Sequence, residues 1–169
     1  MKAVRILFLV TALLAVLQAF YYYPQLPENL ASHFDGQGRP NGFMTRGVFL
    51  IFHLGVVLLL TFVFLAVPLA IHKLPSRWIN LPRKDYWLAP ERREATLSDM
   101  TVQLTRFGIA SLIFLMAVMQ ITIRANLPGG GARVSPSLLW GLIGVYALYL
   151  IVWLVPLLVR YGRPPRESV

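Results

Sequence analysis

The sequence predicts an all-α fold: an integral membrane four-helix bundle with a small ordered extracytoplasmic loop. Three observations carry this. Four apolar runs, at about residues 6–23, 48–71, 101–123 and 137–159, are each long enough to cross roughly 30 Å of hydrocarbon at about 1.5 Å per residue. Of the 169 residues, 57% are hydrophobic and 14% are charged, whereas a soluble domain carries about 25% charged residues. A globule could not be coated with so few charges, while lipid needs no polar coat. The positive charges also fall between the apolar runs. The net charge of +9 therefore reads as a topology signal and as attraction to anionic headgroups, not as a nucleic-acid surface. No cysteine is present, which removes disulfides, thiolate nucleophiles and Cys-ligated metals. Residues 1–169 read as one membrane domain.

The first run follows Lys2 and Arg5 and ends in Tyr21, Tyr22 and Tyr23, aromatics suited to the membrane–water boundary. Leu17 is a poor residue for a signal-peptidase site at Ala19, so a retained helix is expected. The second run has Pro68 in its last turn, and the fourth has Pro156 near its end. The third is expected to start early. Pro90 suits the first turn of a helix, and no proline follows up to Ile123. A helix of that length reaches about 51 Å, so its charged turns project beyond the bilayer.

Orientation comes from Lys and Arg. Lys2, Arg5, Lys73, Arg77, Arg83, Lys84, Arg92, Arg93, Arg160, Arg163 and Arg166 lie on one side, and Arg39, Arg46, Arg124 and Arg133 on the other. This asymmetry places both termini and the 72–100 segment in the cytoplasm and the 24–46 loop outside.

The stretch Pro24–Arg46 is the one long polar segment with internal design, containing three prolines and three glycines. Asp35-Gly36-Gln37-Gly38 and Pro40-Asn41-Gly42 read as tight turns, in a small hairpin or a cap. Its candidate binding residues are His33, Phe34, Gly38, Asn41, Gly42 and Arg46. A His two residues from an Asp reads as structural hydrogen bonding, not as a metal site. Inside the spans, His53, Arg106 and Gln120 are the polar candidates, because an ionisable group in a span is costly to leave unpaired. On the third helix Asp99, Gln103, Arg106, Gln120 and Arg124 share an arc with Ala110 and Ala117, which reads as a packing seam, with Asp99 offered as a partner for Arg106. Arg77–Leu88 mixes Trp78, Tyr86 and Trp87 with cations and is expected to lie along the inner leaflet. His72 reads as a boundary residue, Glu91–Glu94 as a solvated helix start, and Gly129–Gly131 as a flexible connector. No hydrolase elbow, zincin motif, dinucleotide fingerprint or P-loop is present. No catalytic set, metal site or cofactor is expected.

Two segments carry a resemblance. LPENLASHFDGQGRPNGF resembles the LPxxxPxHF…G…(D/N)G(W/Y/F) signature of a domain of unknown function at the N-terminus of SdpI-like bacterial immunity proteins. It matches at Leu26, Pro27, His33, Phe34, Gly38, Asn41 and Gly42, with Ala31 where the family often has Pro and Arg46 where it often has Lys. NLPRKDYWLAPERRE is similar to a second signature in four-span relatives, matching at Asn80, Pro82, Asp85, Tyr86, Trp87, Pro90, Glu91 and Arg92. The resemblance covers roughly Phe8–Asp99. It implies a multi-pass protein of the bacterial inner (plasma) membrane with two special loops, and an immunity or signalling role. The expected partners are the lipid bilayer and a peptide or membrane protein met at the outer face. Two other readings stay open: a small membrane enzyme or transporter using His53, Arg106 and Gln120, and an accessory subunit of a membrane complex.

Overall fold

The computed structural model describes residues 1–163; Arg166, counted in the charge balance above, lies outside the described residues. Four long helices dominate. Helix α1 is Lys2–Tyr22, followed by a 3-10 turn, Tyr23–Gln25. Strands β1 (Asn29–Phe34) and β2 (Pro40–Thr45) form an antiparallel hairpin. Helix α2 (Arg46–Thr61) continues through a π-helical turn, Phe62–Ala66, and a last turn, Val67–Ala70. Helix α3 is Pro90–Asn126, 37 residues, and α4 is Pro136–Gly162. All four are long and apolar enough to span a membrane.

Local chemistry sets the helix ends. Thr45 caps α2, its Oγ1 accepting the Val48 N–H at 3.3 Å. Prolines open α3 and α4, where the missing N–H costs nothing.

The bundle core is α1 against α2 and α3, with Phe8, Ala12, Ala15, Val57 and Leu112 buried together. Gly108 of α3 fixes the closest approach. A Cβ there would stand 2.4 Å from Phe64 Cβ and 2.7 Å from Phe8 Cε2. Pro68 explains part of the α2–α3 contact. It has no N–H for the Phe64 carbonyl one turn back, and the π-turn begins just before. Thr105 Oγ1 of α3 reaches that carbonyl at 3.4 Å, and Thr101 Oγ1 reaches the Pro68 carbonyl at 3.1 Å. Each hydroxyl also donates to its own helix at 2.8 Å, Thr105 to Thr101 O and Thr101 to Leu97 O, so the contact across to the second span is the longer arm of a shared hydrogen bond.

Helix α4 stands apart from this core and packs mainly on α3; among the described residues none of its apolar window is buried. It is attached by stacked aromatics: Phe107 on Trp153 with centroids 4.4 Å apart, and Phe114 on Tyr146 at 4.2 Å. Ser111 Oγ and Tyr146 Oη share a hydrogen bond of 2.8 Å beside the stack.

Candidate functional site

The polar residues gather at the two ends of the bundle. At the hairpin end the turn is Asp35–Arg39. Asp35 Oδ1 accepts the N–H groups of Gln37 (2.9 Å) and Arg39 (2.8 Å), and Gly38 has φ +72°. The expected second turn at Pro40-Asn41-Gly42 is not one. These residues belong to β2, and Gly42 pairs with His33. Glycine is there for close approach, since a Cβ on it would lie 3.0 Å from His33 Cβ.

Three attachments hold the hairpin. Ala31 is 1% exposed. Its N–H donates to Asn126 Oδ1 (2.7 Å) and its carbonyl accepts from Asn126 Nδ2 (2.8 Å), so one amide side chain at the end of α3 acts as a third strand for β1. At the tip, the Val134 N–H donates to the Gly38 carbonyl at 3.0 Å, and Trp140 Nε1 of α4 donates to Gly36 O at 3.3 Å. At the base, Arg46 meets Glu28 (Nε–Oε2 3.2 Å) and lies over the Tyr23 ring, 5.3 Å from its centroid. Arg46 thus closes the hairpin. Phe34 is half-buried, while His33, Asn41 and Phe43 are exposed. His33 Nδ1 is 3.1 Å from Ser32 Oγ.

The opposite end is also folded. Ile79, Leu81 and Leu88 are buried with Leu97 of α3 and Tyr161 of α4, so the segment packs against the bundle as well as exposing Trp78. These apolar residues alternate with the cations, so the segment can bury one face in protein. Trp87 Nε1 donates to Tyr161 O at 2.9 Å, and the two rings meet edge to face at 5.3 Å. Arg92 lies over the Tyr86 ring at 4.0 Å, donates from Nε to Tyr86 O, and pairs with Glu91 at 3.0 Å. Asp85 is exposed beside Arg77 and Lys84 in a shallow groove. Arg93 donates to His72 O (3.3 Å) and Leu74 O (2.7 Å), capping the end of the second span. His72 bridges Glu94 (3.3 Å) and Thr101 (3.1 Å). The Glu91–Glu94 turn is therefore a clasp and not only a solvated helix start.

The intramembrane candidates do not converge. His53 is fully buried, and its Nε2–H donates to the Ala15 carbonyl of α1 at 3.1 Å. Gln120 Oε1 accepts from Gln18 Nε2 (2.8 Å), and Gln120 Nε2 donates to Tyr22 Oη (3.2 Å). Arg106 is exposed on the outside of the bundle. Its suggested partner Asp99 is taken by Arg160 (3.0 Å) and by the Tyr161 hydroxyl (2.7 Å). Arg160 and Tyr161 lie at the same depth as Asp99, whereas Arg106 is two turns deeper on α3.

Residues that sequence reading passed over hold much of this together. Asn126 carried a signal, as a poor helix former at the end of an apolar run. Tyr161 did too, as an aromatic in the last turn of its helix. Trp140 and Val134 gave none, because their partners are backbone groups far away in sequence.

Four spans with folded polar ends define a multi-pass, helical membrane protein. Residues 9–59, covering most of α1, the hairpin and nearly all of α2, match the family described as a domain of unknown function, DUF1648. No curated protein and no solved structure matches the chain.

One prediction concerns the second end. Trp87→Phe keeps the ring but loses the bond to Tyr161 O, worth about 1 kcal/mol. In the purified protein, tryptic cleavage at the exposed Arg83 and Lys84 should accelerate about fivefold, with little change in the midpoint of global unfolding.

Proposed function

We propose that this chain is a non-catalytic protein of the bacterial plasma membrane that recognises a peptide or protein partner at its outer face. The Lys and Arg asymmetry supports a hairpin facing outward and both termini facing the cytoplasm. The observation that carries the reading is the state of the hairpin. It is fastened at strand, tip and base, yet Phe43 remains 66% exposed, on a face with Asn41, while His33 is exposed on the other face against Gly42. A rigid surface bearing an aromatic anchor binds with little ordering cost. Asn41 would supply hydrogen bonds beside that anchor. Gly38 and Gly42 shape the hairpin, and Arg46 locks its base.

Helices α3 and α4 offer a route for coupling. Asn126 and Trp140 hold the hairpin at one end, and at the other Tyr161, itself tied to Asp99 of α3, holds Trp87. A shift of α4 against α3 on binding would reach Trp87 through Tyr161 O. The resemblance to SdpI-like proteins supports immunity or signalling as the use of such an event.

In cells where loss of the protein has a measurable phenotype, an Asn41→Ala/Phe43→Ala double variant should reproduce that phenotype while accumulating normally in the membrane. Wild-type behaviour at normal abundance would overturn the proposal.

A further inference from the structure

The seam between α3 and α4 changes character along its length. In its middle it is filled by the stack of Phe107, Phe114, Tyr146 and Trp153. Towards the hairpin end the facing residues become small or aliphatic, and the seam opens. A cavity of about 490 Å³ lies there, lined by Ala117, Gln120, Ile121, Leu138 and Leu142, with Arg124 and Arg133 among its polar walls. A second trough of about 240 Å³ shares Ala117 and Leu142 with it and runs on along the flank of the stack over Ala110, Ile113 and Val145, walled by Phe114, Tyr146 and Tyr149. From Arg124 to Ala110 the helix rises about 21 Å at 1.5 Å per residue. One leaflet's acyl chains occupy about 15 Å, half of the hydrocarbon thickness.

The mouth of the cavity is cationic by construction. Gly130 lets the α3–α4 loop fold tightly onto the end of α3, since a Cβ there would stand 2.2 Å from Arg124 O. The Ala132 N–H donates to Ala125 O at 2.9 Å. The glycine run is thus a docked turn and not a free connector, and it brings Arg133 to the same cavity as Arg124. Among the described residues neither guanidinium forms an ion pair or a side-chain hydrogen bond. The two acids at this end are engaged elsewhere, Glu28 with Arg46 and Asp35 with its own turn.

We propose that this seam is a binding site for one anionic phospholipid. Arg124 and Arg133 would take the phosphate, with Gln120 beneath them, and an acyl chain would lie along Ala117, Leu142 and Ala110. Paired cations at the mouth of an apolar trough match the amphiphile's charge and shape. The trough also explains why α4 keeps contact with α3 while burying so little against it.

The test is native mass spectrometry of the full chain, released from vesicles of equal phosphatidylglycerol and phosphatidylcholine with the same acyl chains. One phosphatidylglycerol should be retained in preference, by about tenfold. An Arg124→Gln/Arg133→Gln variant should lose that preference. Ala117→Phe, which fills the trough without touching the charges, should lower retention of both lipids. Equal retention of the two lipids by the wild type, or unchanged preference in the Arg variant, would overturn the site. Loss of preference in the Arg variant with Ala117→Phe unchanged would also overturn it, because the charges alone would then be binding headgroups.

Discussion

Gly108→Ala is expected to destabilise the bundle by about 1–3 kcal/mol, the usual cost of overpacking a filled core, and Gly108→Leu should prevent recovery of a monodisperse protein. The reason is which atoms it would meet. The added Cβ would stand 2.4 Å from Phe64 Cβ, an atom next to the backbone that cannot rotate away. Relief needs a movement of α2 relative to α3, and Phe8 of α1 blocks the other side. That movement would also lengthen the contact between Thr105 and the Phe64 carbonyl, already 3.4 Å. Thermal unfolding in detergent, with size-exclusion profiles before and after heating, measures the effect. Gly141→Ala is the control. It lies in α4 with open space around it and should be neutral or slightly stabilising.

Asn126→Leu should free the hairpin without unfolding the bundle. It removes both hydrogen bonds to Ala31 and leaves a buried N–H and carbonyl unpaired, at about 1–3 kcal/mol for each group. Exchange of the Ala31 amide hydrogen should accelerate at least tenfold, and proteolysis should appear within Ser32–Arg39. The amides of α1 and α2 should keep their protection, because the Phe8–Val57–Leu112 core does not include the hairpin. Asn126→Asp sets a carboxylate oxygen against the Ala31 and Thr122 carbonyls, which Asn126 Nδ2 serves as donor, and should free the hairpin as Asn126→Leu does.

The spans were legible because length and hydropathy are local properties, and Pro90 marked a helix start by a local rule. The Asp35 turn was legible for the same reason. Pro40-Asn41-Gly42 has turn composition but lies in a strand. Only the strand opposite reveals that Gly42 makes room for His33. The cytoplasm-assigned segment was legible in part: its aromatics and cations were visible, but the packing of its aliphatic positions on Leu97 and Tyr161 depends on helices far away in sequence. Asp99 lay near Arg106 in sequence, but Arg160 and Tyr161 come from a helix 60 residues away. The binding candidates were visible as a cluster, although the most exposed anchor, Phe43, was overlooked beside Phe34.

The central claim is that the exposed hairpin face meets a polypeptide partner. The measurement that tests it most directly is photo-crosslinking in native membranes, with a photoreactive residue at Phe43 and a control at the inward-facing Met44. A specific polypeptide adduct is expected from position 43, absent from position 44 and weakened by Asn41→Ala. Lipid adducts alone from position 43 would contradict it, showing that the hairpin face rests on the bilayer surface.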